Sequence, residues 1–279
     1  MSYKTIAVYL PKPDSVANIM KVALPFAESF EAHLTGLHVH SAVPVAGTIG
    51  AQVPAEIIEQ YMDIMREDAK AVAKSFNKAV AKANTPTEWR GEEDISTGTN
   101  MLATISALTR CADIVVIGQP DPENRSGELT VDIILSAGRP ALIVPANAKP
   151  MDPEGTVVIG WDGSRVAASA VFNSLPLLQR AKTVFVATAG KGDDVKVAVR
   201  KGGVDLAEAL VRHGVKAEVA MIVKGDSSAG EALTAYVAEQ NASLLVLGCY
   251  GHSRLRERLF GGATLHVLEH MKTPVLMSH

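Results

Sequence analysis

Four glycines near the C-terminus have the spacing of a phosphate-binding loop. Gly248 and Gly251 follow an apolar run, nine residues separate Gly251 from Gly261, and Gly262 comes just before a helical pattern. Because glycine has no Cβ atom, its backbone can approach a phosphate chain closely. The helix that follows offers free N–H groups and a partial positive charge at its N-terminus. The spacing therefore favours polyphosphate binding.

Other polar residues extend this prediction. Thr264 can cap the following helix or donate a hydrogen bond to a phosphate oxygen, and Arg254, Arg256 and Arg258 add positive charge to the loop. Asp162 directly follows a second apolar run, TVVIGW. The carboxyl ends of parallel strands meet in one crevice where the strand order reverses, so we expect Asp162 to face the glycine loop across that crevice.

Two other patterns have simpler explanations than chemistry. GDSSAG at 225–230 resembles a G-x-S-x-G nucleophile motif, but its second glycine is displaced by one residue. Capping of a helix by Asp226 or Ser227 explains it better. His38 and His40 alternate along a strand and allow a metal site, yet no carboxylate or thiolate partner is evident, so a structural role for His38 is favoured. We predict no catalytic residue and no metal ligand.

The apolar pattern alternates between short strands and longer helices. Strands are predicted at 5–10, 33–40, 87–95, 113–118, 141–145, 156–161, 183–188, 216–223, 243–248 and 274–278, and the clearest helices at 55–83 and 195–213. Alternation of strand and helix indicates parallel strands joined by right-handed crossovers. The continuous apolar runs are typical of strands that are buried on both faces.

The two halves of the chain repeat one unit. CADIVVIGQ at 111–119 matches NASLLVLGC at 241–249, which sets Gly118 against Gly248 at an offset of 130 residues. Pro140 matches Pro274 at an offset of 134, so the second half has four extra residues where its glycine loop lies. A repeat this long indicates domain duplication rather than a helical solenoid. We predict domains at 1–147 and 155–279, joined by a linker rich in Pro, Asp and Gly.

These features together resemble a tandem universal stress protein, with two UspA-type domains. ATP-binding members of that family carry G-x2-G-x9-G-(S/T), which Gly248, Gly251 and Gly261 match. Gly262 stands where the family prefers Ser or Thr; that change removes a hydroxyl and keeps the backbone N–H.

The resemblance implies a fold and a ligand. It implies two Rossmann-like or flavodoxin-like α/β domains, each a five-stranded parallel sheet in the order 3-2-1-4-5 with flanking helices. It also implies that the fifth strands pair inside one chain as a pseudo-dimer. The ligand that the resemblance implies is ATP, with or without Mg²⁺, which Asp162 would contact near the ribose or the metal and which the main chain near Thr188 would contact at the adenine. Homodimerisation of the whole chain is left open.

The first half departs from the motif. Asp121 stands in place of Gly251, Glu128 stands in place of Gly262, and the loop to Gly127 is shorter. Asp14 is displaced from the strand end that Asp162 occupies in the second half. Because acidic residues repel a triphosphate, we expect this half to have lost nucleotide binding and to serve pairing or regulation.

Bulk composition limits the remaining functions. The 279 residues carry a net charge of -3 and two cysteines, which gives no general reason to bind nucleic acid and fits a reducing compartment. We see no signal peptide or apolar membrane span and expect a cytoplasmic protein. The favoured function is a stress-response module that binds ATP and acts by regulation, with at most weak ATPase activity. The alternative is a regulator or scaffold that binds protein partners and no nucleotide, and a hydrolase using Ser227 ranks last.

Overall fold

The computed structural model describes residues 2–39, 54–91, 101–120, 126–249 and 262–279. Ten strands form at the ten predicted places, with ends that differ from the predicted ones by a few residues. They are β1 (Thr5–Tyr9), β2 (His33–His38), β3 (Thr87–Gly91), β4 (Ile114–Gly118), β5 (Ala141–Val144), β6 (Thr156–Gly160), β7 (Thr183–Gly190), β8 (Ala217–Val223), β9 (Leu244–Gly248) and β10 (Val275–Ser278).

Helices alternate with these strands. They are α1 (Pro13–Ser29), α2 (Ala55–Val80), α3 (Met101–Thr109), α4 (Ser126–Ser136), α5 (Arg165–Asn173), α6 (Leu175–Leu178), α7 (Gly192–Ala198), α8 (Val204–Arg212), α9 (Ala229–Glu239) and α10 (Ala263–His270). The predicted helix at 195–213 is interrupted by a π-helical turn, Val199–Gly203. None of the described helices combines the length and the apolar content that crossing a membrane requires.

All ten strands lie in one sheet, in the order β3-β2-β1-β4-β5-β10-β9-β6-β7-β8. Within each half the five strands are parallel and follow the predicted order 3-2-1-4-5. The halves join where β5 and β10 pair antiparallel, with Ala141 opposite Met277 and Ile143 opposite Val275. The structure therefore confirms the α/β class and the intrachain pairing of the fifth strands.

Helices cover both faces of the sheet. One apolar cluster includes residues of α1, α2, α5, α6 and α8, and a second includes residues of α3, α4, α9 and α10. Four of the five residues of β4, β6 and β9 are buried. The helix after β6 thus lies on one face and the helix after β9 on the other, which opens a crevice between the two strand ends.

Candidate functional site

The carboxyl ends of the neighbouring central strands β6 and β9 lie side by side. Gly160, the last residue of β6, pairs with Leu247, the residue before the end of β9. A Cβ atom on Gly248 would lie 2.6 Å from the backbone nitrogen of Ala167 and 2.8 Å from the carbonyl carbon of Val166. Because α5 contains both residues, its first turn packs directly on the end of β9. The turn that follows β6 and Gly248, where the glycine loop begins, are therefore neighbours at the carboxyl ends of the two strands.

Asp162 lies in the turn between β6 and α5. Its side chain is exposed, and one carboxylate oxygen accepts a hydrogen bond from the Ser164 backbone N–H at 2.9 Å. Ser164 caps α5 by accepting from the Ala167 N–H at 3.2 Å. The second carboxylate oxygen of Asp162 has no protein donor among the described residues, so it can accept from a ligand hydroxyl or bind a cation.

Thr188 provides a polar atom inside the same region. Its side chain is 6% exposed, and its hydroxyl oxygen has no hydrogen-bond partner among the described residues. A Cβ on Gly203, in the π-helical turn, would lie 3.8 Å from this oxygen. A buried hydroxyl without a partner costs roughly 1–3 kcal/mol, so this position favours a bound water or ligand. The sequence predicted main-chain contacts here; the side chain is a further candidate.

The π-helical turn also packs beside Trp161. A Cβ on Gly202 would lie 3.1 Å from the Trp161 indole nitrogen, and Trp161 itself is partly buried against the larger core. π-Helical turns are frequent at functional sites, and glycines there let other groups approach the backbone. Sequence reasoning missed Trp161, Gly202 and Gly203 because it extended one helix through 195–213, across the Gly202-Gly203 pair.

The N-terminus of α10 faces the crevice from the opposite layer. Gly262 is the N-cap residue, without a side-chain hydrogen bond, and Thr264 is buried in the first turn. Capping by Thr264 was therefore a wrong alternative. Gly251, Arg254 and Gly261 lie outside the described residues, as does Asp121 of the first half, so their predicted roles stay predictions.

Helix capping explains the serine-rich turn before α9. Ser228, and not Asp226 or Ser227, is the N-cap: its hydroxyl accepts from the Glu231 N–H at 3.1 Å, and the Glu231 carboxylate accepts from the Ser228 N–H at 2.6 Å. This second bond is the main reason that the pKa of Glu231 is lowered. The Ser227 hydroxyl donates to the Lys224 carbonyl, which agrees with its low ranking as a nucleophile.

A different side chain fills the matching place in the first half. The Leu10 N–H donates to the Leu37 carbonyl at 2.9 Å, as the Trp161 N–H donates to the Ala187 carbonyl at 2.8 Å, so His38 corresponds to Thr188. His38 is 4% exposed, and its Nδ1 lies 2.7 Å from the Leu10 carbonyl oxygen, to which it donates. Burial and this bond support the structural role predicted for His38, and His40 lies outside the described residues.

Metal ligands are not gathered at this site. In the part of the chain that the structure describes, no group of three or more His, Cys, Asp or Glu side chains is placed to hold a metal ion. Among the residues that the structure describes, the crevice has the exposed carboxylate of Asp162, the buried hydroxyl of Thr188 and the N-termini of α5 and α10 on opposite faces. That combination suits a ligand with both hydroxyl and anionic groups.

Comparison with known proteins finds a family match in the second half of the chain. Residues 155–279 match the universal stress protein family model. The chain is also 27% identical over 252 residues to the universal stress protein Slr1230 of Synechocystis sp., across 84% of this chain and 83% of the relative. The resemblance found in the sequence is thus confirmed for the universal stress protein domain at 155–279.

Solved structures share the whole architecture. A universal stress protein from Archaeoglobus fulgidus superposes with a TM-score of 0.70 at 13% identity, covering 100% of this chain and 99% of that chain. The cytoplasmic domain of a prokaryotic cation chloride cotransporter superposes with a TM-score of 0.52 at 14% identity, covering 99% of this chain and 95% of that one. Since stress proteins and a transporter domain share this fold, function has to be argued from the site.

Proposed function

We propose that the chain is a tandem universal stress protein, with domains at 1–147 and 155–279, and that the second domain binds ATP in the cytoplasm. The observation that carries the proposal is the buried Thr188 hydroxyl, which lacks a partner among the described residues and lies one strand away from Asp162. Asp162 keeps a carboxylate oxygen for a ribose hydroxyl or for Mg²⁺. Neither the Thr188 hydroxyl nor the second carboxylate oxygen of Asp162 has a hydrogen-bond partner among the described residues.

The phosphates belong at the glycine loop. Gly248 and Gly262 bracket it, and the free N–H groups of the first turn of α10 supply donors there. Gly262 lacks the hydroxyl that the family prefers and retains its N–H. We propose that Gly251, Gly261 and Arg254 add backbone donors and positive charge, and that Thr264 supports the helix start.

Regulation, rather than catalysis, is the proposed mode of action. Among the described residues near the crevice, none forms a nucleophile and base pair of the kind that hydrolysis requires. Ser227 uses its hydroxyl to bind a backbone carbonyl. Bound ATP can instead order the crevice and so stabilise one conformation, since a ligand that binds only the folded form stabilises it by mass action.

The test is binding of ATP with Mg²⁺, measured by calorimetry and by the shift of the thermal midpoint. Asp162→Asn keeps the acceptor for the Ser164 N–H and removes the charge, so we expect the fold to survive. The affinity for ATP should fall at least about tenfold, and the ATP-induced shift of the thermal midpoint should become smaller. Asp14→Asn, in the first turn of α1 in the other half, is the matched control and should bind like the wild type.

Two results would refute the proposal. One is the absence of any thermal shift at millimolar ATP with Mg²⁺ together with no adenine nucleotide released from the purified protein in mass spectrometry. The other is equal loss of binding in Asp162→Asn and Asp14→Asn, because that pattern places the nucleotide elsewhere.

A regulator without nucleotide is the second candidate. The absence of a hydroxyl at Gly262 and the imidazole of His38 in the first crevice favour it. It predicts a protein partner that co-purifies while the crevice of the second half stays empty. ATP binding that depends on Asp162 excludes this candidate.

A further inference from the structure

Strand β8 forms one edge of the ten-stranded sheet and is unusually apolar for such a position. It pairs only with β7 in the described part of the chain. Val219, Met221 and Val223 alternate along it and are 38%, 47% and 62% exposed. Edge strands normally carry charges, prolines or bulges that prevent pairing with another chain. Between Ala217 and Val223 the only charged residue is Glu218.

The opposite edge of the sheet shows the protection that β8 lacks. In β3, the guanidinium of Arg90 lies 2.8 Å from the carboxylate of Glu88, and both side chains are exposed. Trp89 turns inward and packs on Phe76, with ring centroids 5.2 Å apart. The outer face of β3 is thus charged, so the two edges of one sheet differ in their capacity to accept another strand.

The backbone of β8 is ready for pairing. The Lys216 carbonyl accepts from the Val184 N–H at 2.9 Å, and the Lys224 N–H donates to the Gly190 carbonyl at 3.1 Å, so the even-numbered residues bond to β7. In a regular strand the intervening residues point their N–H and C=O groups the other way. Val219, Met221 and Val223 therefore direct unpaired backbone groups to the outside.

We propose that this chain forms a dimer through antiparallel pairing of β8 with β8 of a second copy, centred on Met221. In this register Val219 of one copy lies opposite Val223 of the other, and the two Met221 side chains meet at the twofold axis. The hydrogen-bonded pairs are those with outward backbone groups, and the exposed valines and methionines form one continuous apolar stripe. The two sheets become a single twenty-stranded sheet.

Charge complementarity favours this register over the neighbouring one centred on Ala220. Glu218 of each copy lies opposite Lys224 of the other, as a pair that is not hydrogen-bonded through the backbone and whose side chains are consequently close. Moving the centre to Ala220 instead sets Lys216 opposite Lys224, and like charges in that position are destabilising. A second copy of this chain therefore matches the edge both in charge and in apolar pattern.

Analytical ultracentrifugation over a wide concentration range tests the interface. We expect a dimer for the wild type and, for Met221→Lys, a dissociation constant raised more than about tenfold, because two ammonium groups then meet at the axis. Ile64→Lys is the matched control: Ile64 is 56% exposed on α2 in the other half, and its replacement should leave the dimer intact. A monomer at all concentrations, larger polymers, or equal weakening by both substitutions would overturn the proposal.

A charge exchange tests the register separately. Glu218→Lys and Lys224→Glu should each weaken self-association on the order of tenfold, since each places like charges opposite one another twice. An equimolar mixture of the two variants should form a heterodimer about as tight as the wild type, because every facing pair again has opposite charges. Failure of the mixture to associate contradicts the Met221-centred register, and circular dichroism confirms that each variant is folded.

Discussion

Two corresponding residues distinguish the crevices of the two halves. At the end of β7, Thr188 presents a buried hydroxyl with no partner among the described residues. At the end of β2, the larger His38 occupies the corresponding place and donates to the Leu10 carbonyl. At the strand end of the first half, the buried His38 imidazole therefore stands where the second half has the Thr188 hydroxyl, and it bonds to the Leu10 carbonyl. Asp121 and Glu128 of the first half are acidic where the second half has glycines. This difference and the His38 side chain explain why only the second crevice is proposed to bind a ligand.

Replacing Thr188 by valine tests whether its hydroxyl serves a ligand. Thr188→Val keeps the shape and removes an unsatisfied buried group, so the free energy of unfolding without ligand should rise by about 1 kcal/mol. The shift of the thermal midpoint by ATP with Mg²⁺ should become smaller than in the wild type. Chemical denaturation and thermal scans with and without ATP measure both effects.

Thr109→Val is the control for this substitution. The Thr109 hydroxyl is fully buried and donates to the Ile105 carbonyl at 2.9 Å, so the same change should lower stability by about 1 kcal/mol. If Thr188→Val is as destabilising as Thr109→Val, the Thr188 hydroxyl is satisfied within the protein and the ligand argument is lost.

At the scale of elements, the strands were predictable and the irregular turns were not. Continuous apolar runs identified central strands such as β4, β6 and β9, because a strand buried on both faces has few other compositions. The edge strands β3 and β8 are partly exposed and gave a weaker pattern. The π-helical turn at Val199–Gly203 contains two adjacent glycines, but such a pair marks any turn or break and does not identify a π-helical turn. The cap at Ser228 was missed by one residue because Asp226, Ser227 and Ser228 are all good capping residues.

The glycines of the site divide into those required by packing and those free for a ligand. Gly248 was predicted from its spacing to approach phosphate, and the structure gives it an additional role, since α5 occupies the space beside it. A sequence cannot show this role, because the contact joins residues far apart in the chain. Only the folded crevice identifies which atoms lie against a glycine.

A matched pair of substitutions measures that packing. Gly248→Ala should lower the free energy of unfolding by about 1–3 kcal/mol, because its Cβ would meet the Ala167 backbone at 2.6 Å. Gly118→Ala, at the corresponding place in the first half, should cost less than about 1 kcal/mol, because its nearest neighbour is the end of the Ile19 side chain at 3.3 Å. Urea denaturation of both variants is the measurement, and equal losses would contradict the packing role.

On the scale of the whole molecule, side chains reinforce the join between β5 and β10. The Tyr3 hydroxyl donates to the Asn173 carbonyl at 2.8 Å, and the Gln119 amide donates to the Leu268 carbonyl at 2.8 Å. Arg180 donates to the Ser29 carbonyl and stacks over Phe30, with its guanidinium carbon 4.7 Å from the ring centroid. These contacts cross between the halves away from the paired strands, so the two halves are expected to unfold as one cooperative unit.

Alkaline pH provides a test of this join. Burial, and secondly the charge of Asp113, raise the pKa of Tyr3, so the folded protein holds the phenol neutral where the unfolded chain ionises. The Tyr3 contribution is complete below about pH 10, the ordinary pKa of tyrosine, and declines as the pH rises above it. Tyr3→Phe should lower the free energy of unfolding by about 1 kcal/mol at neutral pH. Above about pH 10 the stability of this variant should fall less steeply with pH than that of the wild type, because it has no Tyr3 phenol to ionise.

Tyr61→Phe, on the partly exposed face of α2, serves as the control and should follow the wild-type curve. Unfolding monitored by circular dichroism across the alkaline range gives the comparison. Identical pH profiles for Tyr3→Phe and the wild type would show that the Tyr3 phenol does not couple ionisation to the joining of the halves.

Antiparallel pairing of β5 with β10 sends the strands of the two halves in opposite directions. The carboxyl ends of the parallel strands, where each crevice lies, consequently face opposite rims of the sheet. When two identical chains build such an assembly, any substitution appears at both rims. A fused chain escapes that symmetry, so a substitution such as His38 in place of threonine can appear at one rim while the other rim keeps Thr188.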